Sequence, residues 1–86
     1  MADDQTSTFE QRELAFRAAL GRRIRRMREA RNLSQDALAF RAGLHRTHPY
    51  KLEQAKSDPT LSTLLRVAEA LGCAVSELVR VEDDPP

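Results

Sequence analysis

The chain has no tryptophan, one tyrosine, three phenylalanines and a single cysteine among its 86 residues. With so few aromatics, any core has to be assembled from Leu, Ile, Val and Ala. A lone Cys73 cannot close an intrachain disulfide, which fits a reducing compartment such as the cytoplasm; in its apolar stretch it reads as a small buried hydrophobe. No run of about 18 apolar residues is present, so no membrane span is expected. The opening MADDQTST has no basic stretch ahead of an apolar one and does not read as a secretory signal. There is no glycine-rich phosphate loop and no Ser/His/Asp grouping. So short a helical chain leaves little room for a catalytic pocket, and an enzyme is not expected. His45-x-x-His48 has helical metal-ligand spacing, but Cys73 adds only one more donor and no fourth is evident. No metal and no cofactor are therefore expected. Repeats, low-complexity tracts and strand-type alternation are also missing. What remains is one domain with a modest aliphatic core.

Charge is present in quantity but unevenly placed. The net charge is only +1. From Arg12 to Lys56, however, there are twelve basic and four acidic residues, a surplus of eight positive charges. The remainder carries two basic and nine acidic residues, a surplus of seven negative ones. A basic half of this kind suits a polyanionic partner, although a solvated arginine face would look the same.

Punctuation along the chain sets out the helices. Met1 to Gln5 is polar and is expected to be disordered. Ser7-x-x-Glu10 and Thr8-x-x-Gln11 both read as capping boxes, so a helix is expected to start there. Phe9, Leu14, Phe16, Leu20, Ile24 and Met27 give it an incomplete apolar register. Gly21 either breaks this helix or is run through at a cost of about 1 kcal/mol against Ala. Asn32 is suited to end it in a left-handed conformation. Ser34 then caps a helix from Gln35 to Ala42, and Gly43 supplies a left-handed end at no steric cost. A second helix begins within His45 to Thr47 and runs to about Gln54. Between the two, Ala39 is small enough to let the helices cross closely. Thr60 caps a helix to Leu71, whose Leu61, Leu64, Leu65, Ala68 and Leu71 share one face. Gly72 stops it. Ser76 is expected to cap a last helix from Glu77 to about Arg80, and Val81 to Pro86 to form an acidic, disordered tail.

The stretch from Leu33 to Lys56, LSQDALAFRAGLHRTHPYKLEQAK, reads as helix, glycine elbow, helix. With Leu33, Ser34, Gln35, Leu38, Ala39, Ala42, Gly43, Leu44, Arg46, Thr47, Leu52, Glu53 and Lys56, followed by Pro59, Leu61, Leu64 and Leu65, it resembles the phage repressor and Cro-like family of Xre-type regulators and restriction-modification controllers. The likeness covers roughly Leu20 to Leu78. It implies an all-α, compact bundle of about five helices, a lambda-repressor-like DNA-binding domain. Residues 20–80 would form that domain, with the motif at 35–54. Residues 1–19 would be a tail and helical extension, and 81–86 the acidic tail.

With Leu52 set inward, Pro49 and Glu53 share its face, while Thr47, Tyr50, Lys51 and Gln54 point outward. Lys51 suits a phosphate or a guanine edge, Thr47 a base or thymine methyl, Gln54 a base or phosphate, and Arg46 a bidentate guanine contact. The resemblance implies that Arg46, Thr47 and Lys51 reach bases, and that Gln35 touches phosphate and braces the reading helix. His48, Tyr50 and Lys56 complete the candidate DNA-binding set, with His48 and Tyr50 equally open to plain exposure. The resemblance also implies an Arg28–Glu53 ion pair that ties the reading helix to the bundle, since a buried Glu53 without a partner is costly. The chain departs from the family at His48-Pro49-Tyr50. Proline is tolerated only in a first turn, so the reading helix is expected to start late, with Thr47 the better cap.

The expected function is sequence-specific binding of double-stranded DNA as a small transcriptional regulator. The expected assembly is a homodimer on a pseudo-palindromic operator, cytoplasmic and nucleoid-associated, with Leu71, Val75, Leu78 and Val79 at the dimer interface. The N-terminal extension is the alternative interface. Two other readings stay open: an antitoxin with a protein partner docked on Thr6 to Ala19, and a protein–protein adaptor without DNA binding.

Overall fold

The computed structural model describes residues 2–81, with side chains from Thr8 onward. Five helices occur among the described residues: α1 (Ala2–Ala30), α2 (Gln35–Ala42), α3 (His48–Glu53), α4 (Leu61–Leu71) and α5 (Val75–Leu78). No strand occurs among the described residues. None of the helices is long and apolar enough to cross a membrane.

The first helix is longer than its punctuation implies. It starts at Ala2, so the capping boxes at Ser7 and Thr8 lie inside it and residues 2–5 are helical rather than disordered; Met1 lies outside the described residues. No proline or glycine occurs before Gly21 to stop it. The helix also runs through Gly21 unbroken. At 29 residues α1 is about 44 Å long by helical rise, close to the 46 Å longest dimension of the molecule. Its C-terminal half packs on α3 and α5, α2 lies against α3 and α4, and α4 meets α5.

Local chemistry accounts for the other helix ends. Asn32 turns left-handed (φ 56°) just after α1, and the Leu33 N–H returns to Arg28 O at 3.1 Å. Ser34 Oγ accepts from the Ala37 N–H at 3.0 Å and Thr60 Oγ1 from the Thr63 N–H at 3.1 Å, each relieving a free first-turn donor. Gly43 (φ 66°) closes α2, and the Leu44 N–H bonds Ala39 O at 2.9 Å. The cap of the last helix differs from expectation. The last helix starts after Ala74, not after Ser76, and Glu77 Oε1 accepts from the Ala74 N–H at 3.2 Å.

The core is aliphatic: Leu20, Ile24, Leu33, Leu38, Leu52, Val67, Ala68, Leu71, Leu78 and Val81. Three expectations change here. The apolar stripe of α4 is split, because α2 and α5 cover only part of it. Thr63, Val67, Ala68 and Leu71 are buried, while Leu61 and Leu65 stay 67% and 50% exposed. Leu71 and Leu78, expected at a dimer interface, are buried within the protomer at 3% and 0% exposure and have no surface to offer a second copy. Val75 and Val79 are half-buried. Finally, Val81 belongs to the core at 5% exposure, so it is not part of a disordered tail. Residues 82–86, the rest of the expected acidic tail, lie outside the described residues.

Arginines close several helix C-termini. Arg23 Nε donates to Glu77 O (2.7 Å), Arg31 Nε to Leu71 O (2.6 Å) and Arg66 Nη1 to Ala42 O (3.5 Å). Cations at these carbonyls complement the helix dipole. Part of the basic surplus is therefore structural.

Cys73 is half-buried, and burial first, then the Glu77 carboxylate, push its thiol above the ordinary range. Less thiolate is present at neutral pH, so alkylation should be slower in the folded protein than in urea at the same pH. Timed iodoacetamide labelling checks this, and equal rates would contradict it.

Candidate nucleic-acid interface

The helix α3 is only six residues long, and its position depends on what grips its inner face. Pro49, Leu52 and Glu53 are its buried residues. Thr47 precedes the first turn, which puts Pro49 where its missing N–H has no helical acceptor to lose. The proline ring is fully buried. Thr47 occupies the expected cap position without performing the expected bond. Its backbone is already helical (φ −84°, ψ −10°), and its hydroxyl does not reach into the helix. Instead, His45 Nδ1 accepts from the Thr47 N–H at 3.2 Å and lies 2.9 Å from Thr47 Oγ1. A backbone N–H can only donate, so this geometry needs a neutral His45 with its proton on Nε2.

Two features hold the inner face. The first is a bidentate ion pair: Arg28 Nε donates to Glu53 Oε2 at 2.7 Å and Nη2 to Oε1 at 3.0 Å. Arg28 Nη1 also bonds Leu33 O at 2.7 Å. Gln35 Nε2 adds a third donor to the carboxylate at 3.1 Å. The side chains of Arg28 and Glu53 are only 11% and 2% exposed. The hydrogen bond with Glu53 is the main cause holding the Arg28 guanidinium above its ordinary pKa. One carboxylate thus joins α1, the start of α2 and α3.

The second feature is Gly21, whose sequence neighbours mark it only as a possible break. A Cβ there would lie 2.6 Å from both Leu52 O and Glu53 O. Glycine is what lets α1 and α3 approach to backbone contact. Helical periodicity carries no trace of this contact, because the neighbour is about thirty residues away in sequence.

The opposite face of α3 is open. Arg46, Thr47, Tyr50 and Lys51 are exposed, as are Gln54 at the C-cap and Lys56 beyond it, while His48 and Gln35 are half-buried. Gln35 is the residue whose side chain turns inward, onto Glu53. After α3, Ala55 goes left-handed (φ 57°) and the Lys56 N–H returns to Lys51 O at 2.8 Å. This folds Lys56 back so that its Nζ lies 5.2 Å from the Tyr50 ring centre, a cation–π distance. His45, Thr47, His48, Lys51 and Ser57 line one shallow depression on this side. Ser57 carries no motif that marks it in the sequence; its Oγ is buried there with no hydrogen-bond partner.

The chain is similar to known proteins in sequence and fold. The family model described as helix-turn-helix (HTH_3) matches residues 24–78. The chain is 43% identical over 63 residues to the immunity repressor protein of Bacillus phage phi105, a match spanning 73% of this chain and 44% of the repressor. It is 42% identical over 60 residues to control protein C.SmaI of Serratia marcescens, spanning 70% of this chain and 71% of that protein. Among solved structures, the restriction-modification controller protein C.AhdI from Aeromonas hydrophila superposes with a TM-score of 0.73 at 36% identity, covering 74% of this chain and 97% of that one. With a glycine elbow between α2 and α3, an anchored inner face and a matching family model, the chain belongs to the helix-turn-helix family of DNA-binding transcriptional regulators.

Proposed function

We propose that the chain reads a specific double-stranded operator with α3 in the major groove and regulates transcription by occupying that site. The observation that carries this reading is the asymmetry of α3: one face is locked by Arg28, Gly21 and Leu52, and the other presents cationic and hydrogen-bonding side chains to solvent. Arg46, Thr47 and Lys51 are assigned to base edges, Gln54 to a base or phosphate, and Lys56 to phosphate. Tyr50, held under Lys56, and His48 flank the groove contact. Gln35 acts chiefly by bracing Glu53, with its free amide atoms turned to a phosphate. The names of the relatives, a phage immunity repressor and restriction-modification controllers, favour a regulator over an antitoxin, a protein adaptor or an enzyme. The working compartment would be the cytoplasm, on the chromosome.

A single unit of this size gives a small interface, so we assign the functional form to a homodimer on a pseudo-palindrome with half-sites about one turn, 34–36 Å, apart. Genome-wide footprinting followed by gel shift over a salt series tests the reading. Binding should weaken steeply with salt; salt-independent or absent binding would favour an adaptor. Lys51→Ala should lose about 1–3 kcal/mol and relax preference at one base pair. Equal weakening on every sequence would demote Lys51 to a phosphate contact.

A further inference from the structure

The N-terminal part of α1 lies outside the family match and projects along the long axis of the molecule. It is not polar all round. Phe9 and Phe16 are 58% and 37% exposed, and with Arg12 and Glu13 they border a groove of about 380 Å³. Pro59, Leu64 and Val79 form the opposite wall of that groove. Arg17, which also lines it, donates from Nη2 to Glu13 Oε1 at 3.0 Å, while its Nε is buried with no hydrogen-bond partner. A projecting helical segment this short gains little stability by itself in water.

The order of these residues points to the occupant. Phe9, Arg12, Glu13 and Phe16 stand at i, i+3, i+4 and i+7, on one face of the helix. Read in either direction, the face runs aromatic, charge, opposite charge, aromatic. Turned end for end, it meets itself with Phe9 on Phe16 and Arg12 on Glu13. We propose that a second copy of this chain docks in the groove, α1 antiparallel to α1, about a two-fold axis passing between Arg12 and Glu13.

The same axis suits two reading helices, and this part of the argument rests on the DNA-binding reading above. Gly21 and Arg28, where α1 holds α3, average about 12 residues from the axis, which sets the two α3 helices about 36 Å apart along α1. Half-sites one turn apart need about 34–36 Å. The face that holds α3 lies about 120° around α1 from the docking face. The two-fold, perpendicular to both copies of α1, therefore carries both α3 helices to one side. The surface is self-complementary, as a C2 contact requires.

Sedimentation velocity on the full chain tests this without DNA. Phe16→Glu should raise the dimer dissociation constant by about tenfold or more while circular dichroism stays unchanged, since Phe16 is outside the core. In a Cys73→Ala background, the Phe9→Cys and Phe16→Cys chains are mixed and gently oxidised. The mixed disulfide should dominate over either self-linked product. Predominant self-linkage would show a parallel pair and overturn the proposal. So would a dimer that survives Phe16→Glu but is lost on Leu65→Glu, which would move the interface to the exposed side of α4. A chain that pairs through α1 yet ignores DNA sinks the functional reading alone. One that binds DNA with its dimer unaffected by Phe16→Glu sinks the interface alone.

Discussion

Glu53→Ala should cost about 3–5 kcal/mol of folding stability, because it strands the Arg28 guanidinium in a nearly dry site. Arg28 would keep one bond, to Leu33 O, and lose both bonds to the carboxylate. Gln35 would lose its acceptor as well. Arg28→Ala should be similarly severe, since it leaves a 2%-exposed carboxylate side chain with Gln35 as its remaining side-chain donor. The double variant Arg28→Met/Glu53→Leu removes both charges and keeps the volume, so it should be clearly more stable than either alanine variant. Urea denaturation of the three proteins gives the comparison. Single losses below about 1 kcal/mol would mean the pair behaves like a surface salt bridge. DNA affinity should separate from stability here. The double variant should fold and yet bind more weakly, because α3 loses the orientation that the bidentate fork imposes.

Gly21→Ala is the second large effect. On helix propensity alone the change should stabilise α1 by about 1 kcal/mol. The added Cβ, however, would sit 2.6 Å from two backbone carbonyl oxygens of α3. Backbone cannot swing aside as a side chain can, so α1 and α3 must separate. Overpacking of this kind costs about 1–3 kcal/mol, so the net change should be destabilising. Operator affinity should fall further than global stability predicts, because the displaced element is the reading helix itself. Thermal unfolding and gel shift together check this. A Gly21→Ala protein with a raised Tm and unchanged affinity would show that the contact between the helices is soft.

These two effects differ in how far they can be read from the chain. The Arg28–Glu53 pairing is implied by the family resemblance, and once Leu52 is set inward the helical period alone puts Glu53 on the buried face. The role of Gly21 has no such signal. Its sequence neighbours are those of any helical interruption, and only the carbonyls of Leu52 and Glu53 give it meaning. The arginines divide in the same way. Composition counts Arg23, Arg31 and Arg46 as equal positive charges, yet the fold places Arg23 and Arg31 on helix-end carbonyls and leaves Arg46 exposed.

Sequence by itself determined the helical class, the ends of α2 and α4, the left-handed exits at Asn32 and Gly43, the stop at Gly72, and the inner and outer faces of α3. All of these rest on contacts within a few residues: a hydroxyl on a nearby N–H, a glycine free of Cβ strain, a helical period. Only the tertiary structure decided that Leu71 and Leu78 lie inside the protomer, that Leu61 and Leu65 do not, and that Val81 completes the core. It also decided that Gly21 is a contact point. The reason is that burial depends on which helix covers which face, and that covering is arranged by residues far apart along the chain.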